Sequence, residues 1–118
     1  MADSGLFVGW STPVRGREET GLDVFNEALT FQAQLQEQGA IESFEVVLLG
    51  PHGGGLAGFI LVRGSSEQIA ALREMEEFQR INTRAAMVVD DLGVIDAAIG
   101  DGVGEQIDRY QAAIGALV

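Results

Sequence analysis

The chain offers one imidazole, no thiol and no lysine amine with which to do chemistry. Without cysteine there is neither a disulfide nor a thiol nucleophile, and without lysine a Schiff base is excluded. His52 stands alone, so a zinc site would need several carboxylates around it, and no metal-ligand spacing is present. No metal and no cofactor are therefore expected. His52 sits between Pro51 and Gly53-Gly54-Gly55, the setting of a solvated hairpin tip; the functional alternative places it at the mouth of a cleft. Gly53, Gly55 and Gly58 satisfy G-x-G-x-x-G in form. They open Phe59-Ile60-Leu61-Val62, a strand rather than the helix whose N–H groups would cradle a phosphate. Gly100-Asp101-Gly102-Val103-Gly104 does precede a helix, but its aspartate repels phosphate, so it reads as punctuation. Asp90 and Asp91 fall inside an apolar run. Adjacent strand positions face opposite ways, so the two are not a carboxylate pair working on one substrate, and a bulge exposing both is expected.

A second group of residues suits binding rather than catalysis. Trp10 ends an apolar run, Arg15 and Arg17 lie just beyond it, and Asn26 and Phe31 fall on the following helix. If these converge on a cleft, with His52 at its mouth and Tyr110 nearby, aromatic walls and guanidinium forks would suit a small carboxylated or phenolic molecule. The plainer reading puts Trp10 and Phe31 in the core and pairs the arginines with surplus carboxylates.

The elements that must position these residues follow from hydrophobic periodicity. Leu6 to Trp10 reads as a first strand, ended by Ser11-Thr12-Pro13. From Glu18 to Gln38 the period is helical: Val24, Ala28, Phe31 and Leu35 form a stripe that Leu22, Phe25 and Leu29 widen. Glu18 and Glu19 suit the positive end of that helix, and Gly39 stops it. Ile41 to Gly50 and Leu56 to Arg63 form a hairpin through Pro51 to Gly55. Ser65 and Gln68 fit a capping box that opens a second helix, with Ile69, Leu72 and Met75 inward. Helix continues from Met75 to Arg84 after a kink. Ala85 to Ile99 reads as a long last strand, and Val103, Ile107, Tyr110, Ile114 and Leu117 mark a terminal amphipathic helix.

This β-α-β-β-α-β order with a terminal helix predicts an α+β split βαβ unit, residues 1–118 forming a single domain. Such a sheet should be polar on the face away from its helices. Here Val46 and Leu48 alternate with Val47 and Leu49, and Phe59 and Leu61 with Ile60 and Val62, so both faces are apolar. A second protomer is the simplest cover for the open face, which predicts a two-fold homodimer.

Charge narrows the partners. Eighteen acidic residues against seven arginines give a net charge of −11, which repels phosphate backbones and anionic lipid. Neither nucleic acid nor membrane is expected as a partner. No apolar run reaches the ~18 residues that span a bilayer, and no signal peptide is visible, so the expected location is cytoplasmic.

Several segments resemble a known group. Gly9-Trp10, Pro13 to Glu19, Ile41 to Leu49 and Leu92 to Asp96 are similar to bacterial proteins of the dimeric α/β-barrel (ferredoxin-like) superfamily that have no assigned activity. The resemblance implies two protomers with sheets face to face and a cleft between sheet and helices. A weaker likeness, to YCII-like proteins, rests on Leu49-Gly50-Pro51, Gly58 to Val62, Ala70-Ala71-Leu72 and Glu77-Phe78. That family's first-helix histidine and Asp-Pro-Phe are missing, the latter replaced by Glu76-Glu77-Phe78, so its chemistry does not carry over. The expected function is a homodimeric module that binds a small anionic or aromatic molecule or another protein. The alternative is a cofactor-independent enzyme, monooxygenase- or isomerase-like, acting on a small aromatic or polyketide-like substrate.

Overall fold

A computed structural model describes residues 2–117 of the chain. Strand β1 (Ser4–Trp10) is followed by helix α1 (Glu18–Glu37), strands β2 (Ser43–Leu48) and β3 (Gly58–Gly64), helices α2 (Ser66–Glu74) and α3 (Glu76–Ala86), strand β4 (Gly93–Ala98) and helix α4 (Asp101–Leu117). The four strands form one sheet in the order β2-β3-β1-β4, antiparallel throughout. This is the split βαβ arrangement read from the sequence.

Local chemistry explains the element ends. Ser65 caps α2: its hydroxyl accepts from the Gln68 N–H at 3.1 Å while the Gln68 side chain accepts from the Ser65 N–H at 2.8 Å. Gly39 ends α1 at φ 77°, where a side chain would be strained. The kink expected near Met75 is a full break, with Met75 extended at ψ 125° between α2 and α3.

Register settles which side chains share a face. Leu6, Val8, Ile60, Val62, Phe44 and Val46 turn toward the helices, where they meet Leu35, Ile69, Leu72 and Phe78. Leu6, Val62 and Leu72 are completely buried there. On the opposite face Glu45, Leu61, Phe7 and Ile95 form one cross-strand row, with Val47, Phe59 and Gly9 in the next. Phe7 stacks on Phe59 at 4.8 Å. Gly9 makes that stack possible, because a Cβ there would strike the Phe7 ring. The outward face is thus apolar, as the alternation implied, and Ile95 on it is 55% exposed.

The long last strand expected from Ala85 to Ile99 does not form. Ala85 and Ala86 complete α3, and Val88, 3% exposed, plugs the gap behind it. Val89 bridges Pro13, and only Gly93–Ala98 joins the sheet. A continuous apolar run suits a helix end and crossover as well as a strand, and alanine favours the helix. Asp90 and Asp91 are both exposed, but by a turn rather than a bulge: Asp91 adopts φ 54°, and the pair accepts from Thr12 Oγ1 at 3.5 Å and Ser11 Oγ at 3.3 Å.

Ion pairs fasten α1 to α3. Glu27 accepts from Arg80 at 2.9 Å and from Arg84, while Arg80 also meets Glu77 at 2.6 Å. Partial burial pushes the Glu27 carboxyl up, but hydrogen bonds from Arg80 and Arg84 outweigh it and hold the group below its ordinary value. A depressed carboxylate contributes stability above its unfolded pKa and loses it as pH falls through the folded one. Glu27→Gln should therefore melt below wild type at pH 7, with the gap closing as pH drops below about 4. Paired thermal melts between pH 7 and 3 check this; a gap that persists in acid would show that packing, not charge, is responsible.

Candidate functional site

Small residues on two helices leave space under the sheet. Gly21 and Ala28 on α1 and Ala85 on α3 turn toward the inner face, where larger side chains would have closed the layer. The result is a cavity of about 410 Å³, within the ~300–1,000 Å³ usual for ligand sites. Val8 and Trp10 of β1, Ile60 of β3 and Leu48 at the end of β2 form its floor. Phe25 and Ile81 close the helical side, and the Trp10 and Phe25 rings meet edge to face at 5.7 Å. Only Glu18 and Asn82 bring polar side chains to the lining, and Glu18 is its sole ionisable group. The cleft is open on one side, where Leu22 and Leu48 are exposed; it can hold an apolar body and offer it one amide, but it presents no acid–base pair.

Of the residues singled out from the sequence, Trp10 lines this cavity. Arg15 and Arg17 are exposed in the loop between β1 and α1, bounded by the lining residues Pro13 and Glu18. Neither forms an ion pair among the described residues, whereas Arg63, Arg73, Arg80 and Arg84 all do. Asn26 is exposed on α1. Phe31 lies further along that helix, stacked on Phe78 at 6.5 Å, packed against the core and lining a separate hollow with Met75. Tyr110 is 67% exposed on α4. The structure therefore brings Trp10 and the arginine loop to one end of the cavity and leaves Asn26, Phe31, His52 and Tyr110 outside its lining.

His52 serves the loop that carries it. Its Nδ1 accepts from the Gly54 N–H at 3.1 Å and its Nε2 donates to the Leu56 carbonyl at 2.7 Å, which requires the Nε2-protonated tautomer. Gly53 alone of the three loop glycines needs positive φ, at 79°. The imidazole is a clip holding the hairpin closed, exposed to solvent.

Sequence reasoning missed Phe25, Ala28 and Asn82 as residues of the cavity lining. Phe25 and Ala28 stood in the helical stripe of α1, where an inward aromatic beside small residues was the available signal. Asn82 carried none: an isolated polar residue after Ile81 looks like helix surface.

No family model matches the chain, and no curated protein matches it. Solved structures do. A dimeric ferredoxin-like protein of unknown function from Jannaschia sp. CCS1 aligns with a TM-score of 0.61 at 12% identity, over 81% of this chain and 99% of that one. A dimeric protein of unknown function and ferredoxin-like fold from Bacteroides fragilis NCTC 9343 gives 0.58 at 13% identity, over 81% and 96%. A protein from Chloroflexus aurantiacus J-10-fl, provisionally named an antibiotic biosynthesis monooxygenase, gives 0.53 at 12% identity, over 82% and 93%. At such identities the likeness concerns the fold alone: the chain adopts a ferredoxin-like α+β fold. The YCII-like resemblance gains no support from these matches. Among the described residues no helix is long and apolar enough to cross a membrane.

Proposed function

We propose that the protein is a homodimeric module that binds a small aromatic molecule in the cavity between sheet and helices. The observation that carries the reading is the cavity itself: about 410 Å³, walled by Trp10, Phe25 and aliphatic side chains, with one amide inside. Apolar burial supplies the affinity, and Asn82 orients one hydroxyl or carbonyl. Arg15 and Arg17 at the rim loop, which form no ion pair among the described residues, give an acidic substituent a handle in a chain whose surface elsewhere repels anions. Dimerisation through the outward sheet face accounts for its exposed Ile95 and half-buried Phe7 and Phe59, and the dimeric state of the Jannaschia and Bacteroides proteins supports it. Binding is preferred to catalysis because Glu18 is the only ionisable group in the lining.

A thermal-shift screen of aromatic carboxylates paired with their amides tests this. Several aromatic compounds should raise the melting temperature, and each carboxylate should bind about tenfold more tightly than its amide, a difference of ~1.4 kcal/mol. Arg15→Ala and Arg17→Ala should erase that preference without lowering the melting temperature of the free protein. A preference retained by both variants removes the arginines from the site; no aromatic hit at all removes the binding reading.

A further inference from the structure

The last helix is the element its own domain accounts for least. α4 is 17 residues long, yet Gly102 is its one buried residue among those described, and it packs chiefly against β4. Its foot is fixed there: a side chain at Gly102 would collide with the Asp3 carbonyl. Glu105, Gln106 and Arg109 border a groove shared with α2. The apolar residues lie on another flank. Val103 (47% exposed), Ile107 (51%), Tyr110 (67%), Ile114 (46%) and Leu117 (89%) form one stripe that none of the described residues covers. A helix of this length is marginal alone in water, and Gly102, Gly104 and Gly115 weaken it further. The molecule is accordingly extended: its radius of gyration is 16.1 Å, against about 13.5 Å for a compact chain of this length.

We infer that α4 is an arm whose apolar stripe packs on a second copy of this chain, completing the sheet-to-sheet interface. The inference rests on the homodimer proposed above, and area argues for the same occupant. Four strands about 4.8 Å apart and about 20 Å long present a footprint of roughly 400 Å². A stable pair buries about 800 Å² on each side. A helix about 25 Å long and 10 Å wide adds roughly 250 Å², and side-chain relief makes up much of the remainder. Position agrees, since α4 springs from β4, whose Ile95 and Ala97 belong to the outward face. Two-fold symmetry then buries both arms at once. Charge disfavours a lipid surface as the occupant. The polar side of α4 carries Asp101, Glu105 and Asp108 against Arg109, the reverse of the basic face that anionic membranes select.

Sedimentation equilibrium of wild type, Ile107→Glu/Ile114→Glu and Gly104→Ala tests the arm. Both isoleucines are exposed within the protomer, so the double variant should fold while its dimer dissociates at least tenfold more readily. Gly104→Ala, in open space off the stripe, should dimerise as well as wild type. Hydrogen exchange supplies the second readout: α4 amides should be protected at high protein concentration and lose protection on dilution, while β1 and β3 keep theirs. A wild-type dimer whose dissociation constant is unchanged in the double variant, or α4 protection independent of concentration, overturns the arm and leaves the sheet-to-sheet dimer standing. A wild type that is monomeric throughout overturns both.

Discussion

Phe7→Glu should sediment near the 12.5 kDa mass of one chain under conditions where wild type sediments at about twice that mass. Phe7 lies in the cross-strand row between Leu61 and Ile95 and stacks on Phe59, so it occupies the middle of the outward face. In a face-to-face dimer a carboxylate at that point is buried without a partner, a cost of roughly 3–5 kcal/mol, or more than a hundredfold in dissociation constant. In the lone protomer the same carboxylate meets water, so folding should survive. Glu45→Ala supplies the contrast. Its side chain is 55% exposed, pairs with Arg63 at 2.8 Å and sits on the strand at the sheet's edge. Such a pair contributes ~0–1 kcal/mol, and the dimer should persist. If Phe7→Glu remains dimeric, the outward face is not the interface.

Ala28→Phe should abolish binding of any aromatic ligand found for the wild-type protein while leaving its melting temperature within a few degrees. The methyl of Ala28 faces the cavity from α1. A ring placed there occupies the space a ligand ring would need, and the open volume avoids the ~1–3 kcal/mol strain typical of overpacking. Affinity should fall at least tenfold. Leu72→Ala is the complementary variant: Leu72 is completely buried in the core and absent from the cavity lining. That truncation should cost ~2–5 kcal/mol of stability and leave the affinity of the folded protein unchanged. Calorimetric titration with thermal melts of both variants checks the pair. Wild-type affinity in Ala28→Phe would place the ligand elsewhere.

Particular residues show why some of this was legible in the sequence. The stripe Val24-Ala28-Phe31-Leu35 could only be one face of a helix, and Ser65 with Gln68 marked the start of α2 by its hydrogen bonding. Apolar residues on both faces of β3 announced a sheet needing two covers. The choice of Val47 as outward required the cross-strand register with Phe59, which a single strand does not contain. The run from Ala85 to Val89 misled because an apolar stretch without alternation does not distinguish a helix end from a buried strand. Trp10 was recognisable as a candidate because it ends a strand, where clefts open. The cavity itself was not, since it arises from what Gly21, Ala28 and Ala85 fail to fill once α1 and α3 lie against the sheet. The stripe on α4 was legible as a face, but that none of the described residues covers it emerges only from the fold.

Mapping ¹⁵N and side-chain NMR shifts while titrating a thermal-shift hit asks whether this cavity holds a small aromatic ligand. Trp10 is the only tryptophan, so its indole N–H gives a single assigned probe in the cavity floor. Saturable shifts should appear at the Trp10 indole, the Asn82 side-chain amide and the backbone of Phe25, Ala28 and Val88, and be absent from Ala28→Phe. Shifts confined to the hairpin around His52 or to the outward face at Phe7 and Phe59, with the Trp10 indole unmoved at saturation, would place the ligand outside this cavity.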